Sequence, residues 1–174
     1  MQAISIEAVA NIIGVHRSRI EQWISRNQFL PRIMFGKGKK REWDQAEVMR
    51  LAIFVSLVDN VGLTPADAGR LTQVGPHSFH GGGAYFVCYQ VDPPLGLPIW
   101  SHEIIRKEKL GDFLASGCHI PTILAAGYDE ETIRRNSEPN LGPANLAVVL
   151  NLDRIERIVV DAWPKEGSPS LGTE

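Results

Sequence analysis

Side chains of the kinds that bind phosphates or the edges of nucleic-acid bases are concentrated between residues 16 and 41. They are His16, Arg17, Ser18, Arg19, Gln22, Arg26, Lys37, Lys39, Lys40 and Arg41. Arg and Lys neutralise phosphates, Arg pairs with guanine through two hydrogen bonds, and Gln does so with adenine. These residue types indicate a polyanionic partner, with double-stranded DNA as the first candidate.

The distribution of charge along the chain supports this interpretation. Residues 1–50 carry nine basic and five acidic residues, a net charge of +4, whereas the rest of the 174-residue chain carries −6. A basic amino-terminal third on an acidic body is typical of a polyanion-binding module joined to a second domain. The alternative is that solvated charges cluster there by chance.

Two short helices position the first half of this set. Ser5 is a suitable N-cap for a first helix, and Gly14 is a suitable residue to end it. A second helix is predicted over residues 16–27, with a polar and partly cationic outer face. Its inward side chains are Ile20, Trp23 and Ile24. Two helices joined by a tight turn predict a helix-turn-helix, in which the second helix enters the major groove.

A short hairpin is predicted to position the second half of the set. Ile33–Phe35 and Arg41–Trp43 are the candidate strands, and Gly36 and Gly38 supply the turn. The four cations at its tip, Lys37, Lys39, Lys40 and Arg41, would contact phosphates beside the groove. Such contacts position a protein on DNA without specifying its sequence. Trp23 and Trp43 are expected to be core residues, because their neighbours at helical or strand spacing are apolar.

Two further helices complete the predicted module. Asp44 caps a helix over residues 45–59, with Glu47 in capping-box position. This helix is apolar on nearly every side, so we expect it to be buried on more than one face. Thr64 and Pro65 begin a fourth helix that ends near Leu71.

The second half of the chain alternates predicted strands and helices, which favours a small α/β domain. The predicted elements are strands at 84–91, 119–126 and 146–152, a helix at 102–116, a short helix from 129, and a helix capped by Asp153 that runs to Trp163. The fold class is therefore α+β, a winged helix-turn-helix followed by a small α/β domain. The predicted domain organisation is 1–71 for the module, 72–83 for a Gly-rich linker, 84–163 for the second domain and 164–174 for a flexible tail.

Five features of the first seventy residues occur in a characteristic order: the segment ISIEAVANIIGV at 4–15, Trp23, the Leu-Pro pair at 30–31, REWD at 41–44 and GLTPADA at 62–68. In these features the first seventy residues resemble the MerR-type winged helix-turn-helix family. The resemblance implies DNA binding and transcription regulation. Two features depart from the family: Glu21 and Gln22 stand where the family usually carries Arg and an aromatic residue, and a Gly-rich segment replaces its coiled-coil helix. The charge of one module is modest for tight binding by a monomer, and two copies could read two half-sites, so we expect a homodimer. Because the coiled-coil helix is missing, we expect helix 45–59 or the second domain to hold it together.

The spacing of the Cys and His residues in the second half of the chain does not support a metal site or a metalloprotease motif. The candidate metal ligands are Cys88, Cys118, His119 and His80. Their spacing includes no Cys-x-x-Cys pair, so no metal site is predicted. The segment from His102 begins like a zinc-protease helix but has Arg106 where the second His must stand. No cofactor is expected, and the chain is not expected to be an enzyme.

The composition favours a cytoplasmic location, which we take as the expectation. Two cysteines cannot form a disulfide framework, no apolar run approaches the roughly 20 residues that span a bilayer, and the first residues lack the pattern of a secretory signal. No contact with a membrane is therefore expected.

Three functions fit these patterns. The first is a prophage-type DNA-binding transcriptional regulator with a second domain that senses an unknown small-molecule effector or mediates self-association. The second is a phage or prophage DNA-architectural or packaging factor, similar to an excisionase or a terminase small subunit. The third is a protein-interaction module that has lost DNA binding, which Glu21 and the weak net charge favour.

Overall fold

The computed structural model describes residues 3–32, 42–73, 83–91, 98–116, 118 and 144–164. Several predicted features lie outside these residues. They are most of the hairpin (33–41), most of the linker (72–83), the strand at 119–126, the short helix from 129 and almost all of the tail.

The first two helices form a helix-turn-helix, as predicted. Helix α1 spans Ile6–Ile13, and the Ser5 hydroxyl accepts a hydrogen bond from the amide of Ala8 at 3.3 Å. Gly14 follows at φ 78°, a left-handed conformation that an L side chain rarely adopts. Helix α2 spans Arg17–Ser25, slightly shorter than predicted, because the chain passes through the left-handed region at Asn27.

Helix α3, which spans Gln45–Asp59, forms the centre of the module. Asp44 caps it by accepting a hydrogen bond from the amide of Glu47 at 2.7 Å. Ten of its fifteen residues are buried, so the prediction of burial on more than one face is confirmed. The rings of Trp23 and Phe29 both pack edge-on against Phe54, with centroids 5.0 and 5.4 Å away.

Helix α4 spans Pro65–Gln73, and the Thr64 hydroxyl caps it by accepting from the amide of Asp67 at 3.1 Å. Gly69, on its buried side, lies against the backbone carbonyl of Gln28. A side chain at position 69 would overlap that carbonyl, so only glycine allows α4 to approach the segment that follows α2.

The second half contains a three-stranded antiparallel sheet. Strand β1 spans Ala84–Val91, β2 spans Ile99–Arg106 and β3 spans Leu146–Asn151, in the order β2-β1-β3. Both strands predicted within the described residues, at 84–91 and 146–152, are confirmed. Together with the four amino-terminal helices, this sheet confirms the α+β class.

The prediction of a helix over 102–116 was wrong in its first part. Residues 99–106 form β2, which pairs with β1 along its whole length, from Val91 opposite Ile99 to Ala84 opposite Arg106. The helix, α5, spans only Lys107–Ala115. The pattern of residues 102–106 is compatible with either a helix or a strand. They form a strand because they pair with the apolar strand β1. Helix α5 buries Phe113 in a core formed by Val87, Tyr89, Ile105 and Cys118.

The last described helix, α6, spans Leu152–Asp161 and begins directly after β3. Asp153 lies in its first turn, so its predicted position as the N-cap was wrong. Its carboxylate oxygens instead accept from the amide of Gly83 at 2.9 and 2.8 Å. This contact fixes the start of β1 next to the end of β3.

The chain divides into two compact units. The first comprises Met1–Ser78 with Arg154–Glu174, and the second comprises Phe79–Asp153. The boundary near the carboxyl end thus falls inside α6, and the domain limits inferred from the sequence stay a prediction.

Candidate nucleic-acid interface

Helix α2 presents a polar outer face. Ile20 and Trp23 are buried, whereas the candidate contacts on and beside the helix are largely exposed. The exposed set is His16, Arg17, Ser18, Gln22 and Arg26, and Arg19 is half-buried. The burial of Trp23 and Trp43 confirms that both are core residues.

Arg17 lies between two carboxylates. Its Nε donates to Glu21 one turn further along α2 at 2.7 Å, and its Nη1 donates to Glu7 on α1. The hydrogen bond to Glu21, with the negative charges of Glu21 and Glu7, raises the pKa of Arg17. The pKa of Glu7 is lowered by hydrogen bonds from its own backbone amide and from Ser5, and further by Arg17. These groups are exposed, so the pairs are exchangeable with solvent and contribute little stability.

Arg19 joins α2 to the end of α3. Its two terminal nitrogens donate to both carboxylate oxygens of Asp59, at 2.8 and 2.6 Å. Its guanidinium also lies 4.5 Å from the ring centroid of Trp23. Two parallel hydrogen bonds and a ring contact hold the guanidinium in one orientation. Asp59 was not identified from the sequence, because forty residues separate it from Arg19.

Arg26 occupies the C-cap of α2, and its side chain is exposed. No hydrogen bond or ion pair of its guanidinium is found among the described residues. It is therefore available to a phosphate without breaking a contact in this part of the chain.

Lys37, Lys39, Lys40 and Arg41 lie outside the described residues, but both ends of their segment are fixed. After it, Trp43 forms a two-hydrogen-bond bridge with Ile4, at 2.9 and 3.0 Å. Trp43 is fully buried and stacks on Phe29, with ring centroids 6.3 Å apart.

The other end of the segment rests on a buried ion pair. Arg50 of α3 contacts Glu47 one turn earlier at 2.6 Å and donates to the carbonyl of Leu30. The same Glu47 oxygen accepts from the backbone amide of Arg32 at 3.3 Å. Glu47 thus uses its carboxylate to hold the chain beside α3 rather than to complete a capping box.

In the second unit, Cys88 and His102 lie on neighbouring strands of the sheet. Cys88 is fully buried, and burial raises the pKa of its thiol to about 11. His102 lies opposite Cys88 in the strand pairing and stacks on Phe86, with ring centroids 5.1 Å apart. Burial lowers the pKa of His102. His80 and His119 lie outside the described residues, and the described part of the chain holds no group of three potential metal ligands.

Comparison with known families agrees with this geometry. Residues 4–74 match the family model described as MerR HTH family regulatory protein. The amino-terminal module is a MerR-type helix-turn-helix. The matched range begins at the Ile4–Trp43 bridge and ends just after α4, so the MerR-type module includes all four helices described above. No curated protein matches the chain.

The matched family is a regulatory helix-turn-helix family, so the module indicates a regulatory, DNA-binding role. In the part of the chain that the structure describes, no helix is long and apolar enough to cross a membrane.

Proposed function

We propose that this protein is a DNA-binding transcriptional regulator that reads the major groove with α2 and contacts phosphates with the 33–43 hairpin. The observation that carries the proposal is the exposed polar face of α2 within a MerR-type module. A helix of this kind presents its first residues to base edges. Arg17, Ser18 and Gln22 are then the base-reading candidates.

Arg19 and Arg26 have different roles in this proposal. Arg26 is available for a phosphate, whereas Arg19 is held by Asp59 and Trp23. Arg19 therefore fixes the angle between α2 and α3, and its guanidinium reaches DNA only by exchanging Asp59 for a phosphate. His16, directly before α2, is placed beside the backbone of the DNA.

The proposed DNA binding also suggests the oligomeric state of the protein. A module with a net charge of +4 over residues 1–50 is a modest polycation, and two copies reading two half-sites would strengthen its binding. We therefore propose a cytoplasmic homodimer, consistent with a prophage regulator, whose second unit binds an unidentified small-molecule effector or a second copy.

One observation favours the alternative, a module that has lost DNA binding. Glu7, Glu21 and Asp59 lie against the arginines of α2 and neutralise them in the described structure. A phage architectural or packaging factor would use the same surface as a regulator, and the position of its binding site on the genome would distinguish the two.

A charge-removal experiment separates DNA binding from its loss. The variant replaces four cations of the proposed surface with Ala: Arg17, Arg26, Lys39 and Lys40. The control replaces four exposed cations of the rest of the chain with Ala: Arg106, Lys107, Lys109 and Arg157. Both variants lose the same charge, and both spare the Arg19–Asp59 pair.

Binding to duplex DNA is measured by fluorescence anisotropy over a range of salt concentrations. The surface variant should bind at least about tenfold more weakly, with a log-log salt slope smaller by about 3.6 per bound module, or about 7.2 for a dimer, since each phosphate contact contributes about 0.9. The control should retain most of its affinity and its slope. Equal affinities for wild type and surface variant would favour the alternative.

A further inference from the structure

Strand β3 lies at one edge of the sheet, and no described strand pairs with its outer side. Its sequence, LAVVLN, contains no ionisable residue and no proline. Leu146 and Val149 are 49% and 36% exposed. An edge strand of this composition offers backbone hydrogen-bonding groups and apolar side chains to another strand.

The opposite edge of the same sheet differs. Strand β2 carries Glu103 and Arg106 as well as His102. Charged side chains on an edge strand discourage pairing with another chain, because a second strand would bury them or bring like charges together. The described sheet therefore has one protected edge and one unprotected edge.

The described part of the first unit contains two exposed large apolar side chains, Ile158 and Val160 of α6, but no strand whose edge a second strand could join. The large apolar side chains of α3 are buried or half-buried within the module, so helix 45–59 offers little apolar surface to a second copy. Among the described residues, the exposed large apolar side chains lie between residues 114 and 160. They are Leu114, Leu146, Val149, Ile158 and Val160.

We propose that β3 pairs antiparallel with β3 of a second copy of this chain, joining two sheets across a two-fold axis. The strand is complementary to itself: residues from Leu146 to Leu150 are all apolar, so every antiparallel register about that axis places apolar side chains opposite one another and no like charges. The inference rests on the proposed function in one respect, because two half-sites on DNA require two copies.

The test compares two lysine substitutions of equal chemistry in the full chain. Val149→Lys places a charge in the middle of the unprotected edge, close to its symmetry mate. Leu114→Lys is the matched control, because Leu114 is 39% exposed, belongs to the same unit and lies on α5 away from that edge. Sedimentation velocity from 1 to about 100 μM measures the mass, and far-UV circular dichroism checks that each variant is folded.

Wild type and Leu114→Lys should sediment at about twice the chain mass of 19.3 kDa. Val149→Lys should dissociate at a concentration at least about tenfold higher, since burial of a charge and repulsion of its mate oppose pairing. Wild type should also show slower amide hydrogen exchange at residues 146–150 as its concentration rises. This measurement needs no variant.

A wild-type monomer across the range, a dimer unaffected by Val149→Lys, or exchange at 146–150 that is independent of concentration would each overturn the proposal. A dimer lost in Leu114→Lys and kept in Val149→Lys would assign the interface to α5 instead. DNA binding is measured on the same samples. A dimer that binds no DNA contradicts the proposed DNA binding alone, whereas a monomer that binds DNA contradicts this inference and the proposed homodimer but leaves the proposed DNA binding intact.

Discussion

At the scale of single residues, the cations of α2 differ in what holds them. Arg17 contacts two exposed carboxylates, and Arg26 has no partner among the described residues. Arg19 is oriented by contacts with Asp59 and Trp23. Cations that look equivalent in the sequence therefore have different roles: Arg17 and Arg26 are exposed at the surface, whereas Arg19 connects α2 to α3. Asp59 decides the role of Arg19 and opposes an approaching phosphate.

Removal of the Asp59 charge should strengthen DNA binding. We expect Asp59→Asn to bind DNA about two- to fivefold more tightly, because Arg19 is no longer neutralised and a repulsive charge is lost. Asp67→Asn is the matched control, since Asp67 also pairs with an exposed arginine, Arg70, and the change in net charge is the same. Anisotropy titrations check both variants. An equal gain in both would show that only net charge matters, and a loss in Asp59→Asn would show that the pair must persist on DNA.

Glu103 should be a destabilising residue at neutral pH. Burial raises its pKa, so above that pKa the folded state holds a desolvated charge that the unfolded state does not. We expect Glu103→Gln to raise the melting temperature at pH 7 and to give no gain near pH 3, where the carboxyl is protonated in both the folded and the unfolded state. Glu108→Gln, an exposed change on α5, is the control. A gain for Glu103→Gln that is the same at both pH values would contradict burial as the cause.

At the scale of elements, capping residues and periodicity predicted the four helices of the module well. Helix 45–59 has the predicted bounds, and Ser5, Asp44 and Thr64 cap as expected. These signals are local, so a single sequence contains them. The strand at 99–106 was missed because its structure depends on pairing with β1, whose mid-strand partners Val87 and Cys88 lie 16 and 14 residues before Glu103 and His102, rather than on its own residues.

The Glu47–Arg50 pair should be the most important polar contact of the module. Glu47→Gln leaves the guanidinium of Arg50 buried without a compensating charge, and we expect a loss of about 3 kcal/mol of unfolding free energy. Urea denaturation measures it, with Glu21→Gln as the exposed control expected to cost under about 1 kcal/mol. Equal losses in the two variants would mean that the buried pair adds nothing beyond a surface pair.

At the scale of the whole molecule, the charge asymmetry and the MerR-type module agree. The sequence predicted the polar face of α2 because the face follows from helical spacing alone. It did not predict the carboxylates of Glu7 and Asp59 that meet this face, because these contacts join residues distant in sequence. How much of α3 its own module covers could not be predicted either, because that burial depends on tertiary packing. The prediction that α3 or the second domain holds a dimer together stays a prediction.

The salt dependence of binding should report the size of the whole surface. Five neutralised phosphates per module predict a log-log slope near −4.5, and a dimer on two half-sites predicts about −9. Anisotropy titrations between 50 and 300 mM salt measure the slope. A slope near zero would contradict a cationic surface on duplex DNA.

Selection of bound fragments from a random pool of duplex DNA tests the central claim, that α2 of this module reads DNA, most directly. The account predicts enrichment of an inverted repeat whose half-sites lie about one helical turn, or a multiple of it, apart. It also predicts that Gln22→Ala alters the enriched bases, whereas Gln73→Ala, an exposed change at the end of α4, does not. A pool that shows no enriched sequence after repeated rounds, with folded wild-type protein, would contradict the account.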